Sequence, residues 1–137
     1  MISRLRILAM TGLAGIVLFV PGGADAATPR TFHHADSGRT VRVSHGATFR
    51  IDLRTSVDGG YSWHLVRGRH SAHVKVIDRA TRPYPHAAGT VGYPYHTIYT
   101  LKATRRGAGT LRLVERRSWD KADVASRFVL HVHVVRR

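Results

Sequence analysis

The chain holds ten histidines in 137 residues, and these are the first side chains that could do chemistry. His131 and His133 are two apart, which puts both imidazoles on one face of a strand, and His33 and His34 are adjacent. Imidazoles at such spacings can hold zinc or copper. No nearby carboxylate completes a ligand set, and the absence of cysteine excludes thiolate sites and thiol catalysis. The expectation is therefore histidines on the polar side of an edge strand, gaining charge below about pH 6.5. Hydrolytic machinery is also missing: there is no G-x-S-x-G elbow and no H-E-x-x-H helix motif. A P-loop and a dinucleotide fingerprint are absent too. Only eight Asp and Glu residues occur, and they are scattered. We expect no enzyme activity, no cofactor and no metal.

The remaining candidates could act by recognition. Asp58-Gly59-Gly60 has the composition of a tight turn. Its glycines permit positive φ and close backbone approach to another protein, and Asp58 can hydrogen-bond its own loop. Trp119 lies between Ser118 and Asp120, outside any apolar period. A loop tryptophan is either a binding anchor or a ring packed locally over Arg117. Trp63 has the parity of a core residue. Tyr61 shares that parity but lies nearer the turn and is compatible with either role. Glu115 continues the inward parity of Leu111 and Leu113, so it needs a partner. Arg117 faces the same side and suits a structural brace.

The elements that must position these residues read as strands. Val41 and Val43 flank Arg42; Phe49, Ile51 and Leu53 alternate with polar residues; so do Tyr99, Leu101 and Ala103. Leu111 and Leu113 flank Arg112, and Phe128, Leu130, Val132 and Val134 form the longest alternating run. A period of two implies one buried and one solvated face. Shorter strands are expected at Trp63 to Val66 and Val74 to Ile77. Breakers separate the runs: Ser44-His45-Gly46, Asp58-Gly59-Gly60, Pro83-Tyr84-Pro85, Gly92-Tyr93-Pro94 and Arg105-Arg106-Gly107. About seven short strands with turns between them predict an all-β, antiparallel sandwich. Thr28 to Ser37 reads as a loosely held segment with an early strand at Arg30 to His34.

Three stretches, in order, resemble the chagasin family of cysteine protease inhibitors. The first is Leu53 to Trp63. Gly60, Tyr61 and Trp63 match the family's Asn-Pro-Thr-Thr-Gly-aromatic-x-Trp pattern, while Ser56, Val57, Asp58 and Gly59 replace its tip. The second is Val91-Gly92-Tyr93-Pro94-Tyr95 before an alternating strand. Gly92 and Ala103 match in spacing, and Pro94 and Tyr95 replace glycines. The third is Leu111 to Asp120. Leu111, Leu113, Arg117 and Trp119 match Leu-x-Leu-x-Tyr-x-Arg-Pro-Trp-Glu; Asp120 keeps the acid, Ser118 replaces Pro and Glu115 replaces Tyr. The resemblance runs from Ser37 to Val135. It implies an immunoglobulin-like sandwich whose three loops form a wedge for the cleft of a papain-like cysteine protease. The implied contacts are Ser56 to Tyr61, Gly92 to Tyr95, and Arg117, Ser118, Trp119 and Asp120.

Met1 to Ala26 reads as a secretory signal peptide. Arg4 and Arg6 precede an apolar run from Ile7 to Val20, and Ala24-Asp25-Ala26 supplies small residues for cleavage. The run is short of the ~20 residues that span a bilayer. The expected organisation is thus a signal at 1–26 and one inhibitor domain at 27–137, secreted or periplasmic, monomeric and without a membrane anchor. The formal net charge is +14, with Lys and Arg spread along the chain rather than in a block. That spread favours a generally basic exterior over a dedicated nucleic-acid face. The alternative is a basic exported module that grips nucleic acid or an anionic cell-surface polymer.

Overall fold

The alternating runs form strands whose apolar members meet between two sheets. A computed structural model describes residues 28–55, 60–67, 71 and 73–137. The proposed signal segment and the turn residues Ser56 to Gly59 lie outside the described residues. In chain order the strands are β1 (Arg30–Phe32), β2 (Thr40–Ser44), β3 (Thr48–Thr55), β4 (Tyr61–Val66), β5 (Val74–Pro83), β6 (Tyr95–Ala103), β7 (Gly107–Arg117) and β8 (Val124–Val135). A 3₁₀ turn, His34–Asp36, links β1 to β2. One sheet has the order β1-β3-β6-β5 and the other β2-β8-β7-β4.

The core is the inward set of both sheets. Phe49, Ile51, Leu53, Trp63, Leu101, Leu111, Leu113, Leu130 and Val132 are all buried, as their parity predicts. Thr55, Thr97 and Trp63 find partners for their buried polar groups, as burial requires. The Thr55 and Thr97 hydroxyls meet at 2.7 Å. Trp63 donates its indole N–H to the Arg54 carbonyl at 2.9 Å, and the Tyr99 hydroxyl donates to the Trp63 carbonyl at 2.7 Å. These two bonds join the sheets, the first from β4 to β3 and the second from β6 to β4.

The sandwich has eight strands among the described residues rather than about seven, and its edges differ from a wholly antiparallel pattern. β1 pairs with β3 and β2 with β8 in parallel. The N-terminal segment is held, not loose: Phe32 is buried and meets Phe49 edge to face at 5.9 Å. β5 extends to Pro83, and a register shift between Val76 and Asp78 resets its alternation and leaves Ile77 exposed, so period two does not follow it that far. The histidine expectation is corrected as well. His131 and His133 lie on β8, which is flanked by β2 and β7 and is not an edge.

Candidate functional site

The register brings three connections to one end. Thr55 and Pro83 both oppose Tyr95, so the end of β3, the end of β5 and the start of β6 are neighbours. In the other sheet Tyr61 opposes Arg117, and Arg116 opposes Val124. The β3–β4, β5–β6 and β7–β8 connections therefore leave the sandwich together. Tyr95 ties the sheets at this end by donating its hydroxyl to the Tyr61 carbonyl at 3.3 Å.

Gly60 and Trp119 join the first and third connections. Gly60 has φ +74°, and a Cβ placed on it would lie 2.5 Å from Trp119 Cη2. The indole thus occupies the space that the missing side chain leaves. Trp119 remains 73% exposed, so it rests on Gly60 while presenting most of its surface. The Arg117 guanidinium lies over Tyr61, 4.9 Å from its centroid.

Below this contact, Tyr61 donates its hydroxyl to Asp123 at 2.8 Å, and Arg117 pairs with the same carboxylate at 3.2 Å. Asp123 accepts a hydrogen bond from the phenol, which favours its protonated form and so holds Tyr61 above the ordinary phenol range. Asp120 accepts the Ala122 backbone N–H at 3.0 Å and closes the turn after Trp119. Glu115 is buried at the Trp63 register, as its inward parity requires.

The second connection is ordered by stacked rings. His86 stacks on Tyr93 at 3.6 Å, and Tyr84 stacks on His96 at 3.8 Å with the Arg54 guanidinium 5.7 Å from its ring. The Tyr84 N–H donates to the Pro94 carbonyl at 3.0 Å. Gly92, at φ +70°, and Val91, 91% exposed, form the outer part. Gly60, Tyr61, Gly92 to Tyr95 and Arg117 to Asp120 thus lie at the same end, whereas Ser56, Val57, Asp58 and Gly59 fall outside the described residues. Sequence reasoning missed Asp123, Tyr84, His86 and His96. Asp123 lies three residues past the quoted motif and has no periodic signal. Tyr84 lies between two prolines and reads only as part of a breaker.

Among the described residues no group of three or more His, Asp or Glu side chains could hold a metal. The site offers shape, an exposed ring and backbone.

Comparison with known proteins agrees with this form. Residues 42–132 match the chagasin family peptidase inhibitor I42. The chain is 28% identical over 98 residues to Amoebiasin-2 of Entamoeba histolytica, covering 71% of this chain and 77% of that protein. The crystal structure of the cysteine protease inhibitor EhICP2 from Entamoeba histolytica superposes with a TM-score of 0.67 at 22% identity, over 77% of this chain and 95% of that one. The solution structure of Amebosin gives a TM-score of 0.66 at 23% identity, over 79% and 99%. The structure of PbICP-C in complex with falcipain-2 gives 0.53 at 15%, over 79% and 93%. With its two sheets, its three gathered loops and a profile match over most of its described length, the chain belongs to the chagasin family, which is made of peptidase inhibitors and not enzymes.

Proposed function

We propose that this protein is a reversible, competitive inhibitor of papain-like cysteine proteases that fills the active-site cleft with the three gathered loops. The observation that carries the reading is Trp119, exposed at the loop end yet seated on Gly60 of the neighbouring loop. Such an inhibitor needs no reactive group. It needs a surface already in its bound shape, because ordering that surface on contact would subtract from affinity. Loop ordering here comes from the Tyr61–Asp123–Arg117 cluster and the stacked rings of the second loop. PbICP-C, a structural neighbour, is seen in complex with falcipain-2, which supports a protease as the partner.

Residues 1–26 serve as the export signal in this reading, and the protein acts as a monomer outside the cytoplasm. N-terminal sequencing of exported material should start at or close to Ala27; a start at Met1 would reject the signal. The inhibitory reading is tested by titrating the purified protein against papain and a cathepsin-L-like protease, with trypsin alongside. Competitive inhibition of the first two and little effect on trypsin are expected. No inhibition at micromolar protein would overturn it.

A further inference from the structure

The outer face of the β2-β8-β7-β4 sheet carries a second chemical character, independent of the loop end. Val41, Val43, Leu111, Leu113, Phe128, Leu130, Val132 and Val134 point inward. The alternate positions therefore point outward, and they include Arg42 on β2, Arg127, His131 and His133 on β8, and Arg112 and Arg116 on β7. The register places these groups side by side. Arg42 opposes His133, His131 opposes Thr110, Arg112 opposes Val129, and Arg127 opposes Val114. Same-face residues along a strand are ~6.8 Å apart, so the stripe from His133 to the level of Arg116 is about 27 Å long.

Two depressions continue it. One, of about 260 Å³, lies beside Thr40, Thr110, His131 and His133, where Ala108 and Gly109 leave the floor low. The other, of about 670 Å³, is lined by His45, Gly46, Arg106, Arg136 and Arg137, just beyond the paired ends of β2 and β8. Opposing charge is missing from the whole stripe. Among the described acids, Asp52 and Asp78 lie on the outer face of the other sheet, by their register with Ile98 and Thr100. Glu115 is buried, Asp36 is engaged by Arg39 and the His33 N–H, and Asp120 and Asp123 belong to the β7–β8 loop. Arg42, Arg112 and Arg127 are exposed and enter none of the described ion pairs.

We propose that this face binds an extended anionic polysaccharide, sulfated or carboxylated, through its repeating charges. A nucleic acid is the weaker fit. Single strands are held by bases stacked on aromatic rings, and this face carries no Phe, Tyr or Trp. A lipid surface favours a continuous apolar face beside the basic one, and here Val114 and Val129 stand singly among Arg112, Arg127 and His131. The stripe runs along the side of the sandwich and only its Arg116 end reaches the loop end.

Heparin is the probe. Total positive charge alone would give some binding, so the test compares two triple variants of equal charge. Arg42→Ser/Arg112→Ser/Arg127→Ser removes the stripe. Arg50→Ser/Lys75→Ser/Lys102→Ser removes three exposed charges from the outer face of the other sheet. Wild-type affinity for heparin should fall roughly 25-fold between about 0.1 and 0.3 M NaCl if about four arginines release counterions. The stripe variant should lose about tenfold or more at fixed salt, and the control less than about threefold. Should the stripe triple melt early, Arg112→Gln alone carries the comparison against Arg50→Gln. Equal losses in the two variants would reduce the effect to net charge and overturn the proposal. Tighter binding of single-stranded oligo(dT), or of phosphatidylserine vesicles, than of heparin at the same salt would overturn it as well.

Discussion

Trp119 combines exposure with a fixed seat. A tryptophan offers large contact area with few torsions to freeze, and here Gly60 limits where the ring can lie. Trp119→Ala should weaken protease inhibition by about 2 kcal/mol or more, roughly thirtyfold. Its melting temperature should barely change, because the ring is 73% exposed. Gly60→Ala tests the seat rather than the anchor. Its Cβ would fall 2.5 Å from the indole, and its φ of +74° costs a non-glycine residue about 1–2 kcal/mol. Inhibition constants should worsen with the ring displaced, and more than the melting shift accounts for. Wild-type inhibition by Gly60→Ala would show that the placement of the ring is irrelevant. His64 gives a different residue-scale effect. Burial, then Arg116 and Arg79, lower its pKa from 6.5. The folded state then holds fewer protons than the unfolded state once pH falls below 6.5, so stability is lost in that direction. The melting temperature of wild type, relative to His64→Gln, should therefore drop between about pH 7.5 and pH 5. A constant difference would contradict the shift.

At the scale of elements, the β7–β8 connection depends on one carboxylate. Asp123 accepts from Tyr61 and pairs with Arg117, holding the start of β4 to the end of β7 beneath Trp119. The pair is partly solvated, so Asp123→Ala should cost only about 1 kcal/mol of stability. Inhibition should suffer more, because the turn bearing Trp119 loses its tie; a melting shift with unchanged inhibition would refute that link. This carboxylate also marks where the sequence stops being legible. Period two identifies β3, β6, β7 and the closing half of β8, because one face of each is buried and the other solvated. The same rule fails for β5, where a bulge at Ile77 flips the parity and the strand lies at an edge. It cannot assign direction, so the parallel pairing of β1 with β3 and of β2 with β8 has no sequence signature. Phe32 looks like an isolated aromatic in a polar segment until β1 sets it against Phe49. Gly60, Tyr61 and Trp119 were readable because they fall on the loop motifs that the resemblance carries, and Trp119 also because it stands outside any apolar period. Asp123 and the His86–Tyr93 stack were not, since a loop contact is fixed by geometry that spacing does not encode.

At the scale of the whole molecule, the net charge of +14 is unevenly placed. The arginine stripe along the β2-β8-β7-β4 sheet has no carboxylate among its described residues, whereas the loop end mixes signs. There Arg117 is matched by Asp123, Asp120 closes its own turn, and Gly60, Val91, Gly92 and Trp119 carry no charge. Screening acts on exposed charges separated by more than about 8–10 Å and hardly touches a desolvated apolar contact. A wedge anchored by Trp119 should accordingly hold its inhibition constant for a papain-like protease within about threefold between 0.05 and 0.5 M NaCl. Over the same range, attachment through the stripe should weaken steeply. The check is a set of inhibition constants at several salt concentrations, measured with a neutral peptide substrate so that substrate binding does not itself vary. A tenfold or greater loss of inhibition would mean that long-range attraction of the basic exterior, and not the seated ring with its neighbouring loops, holds the protease.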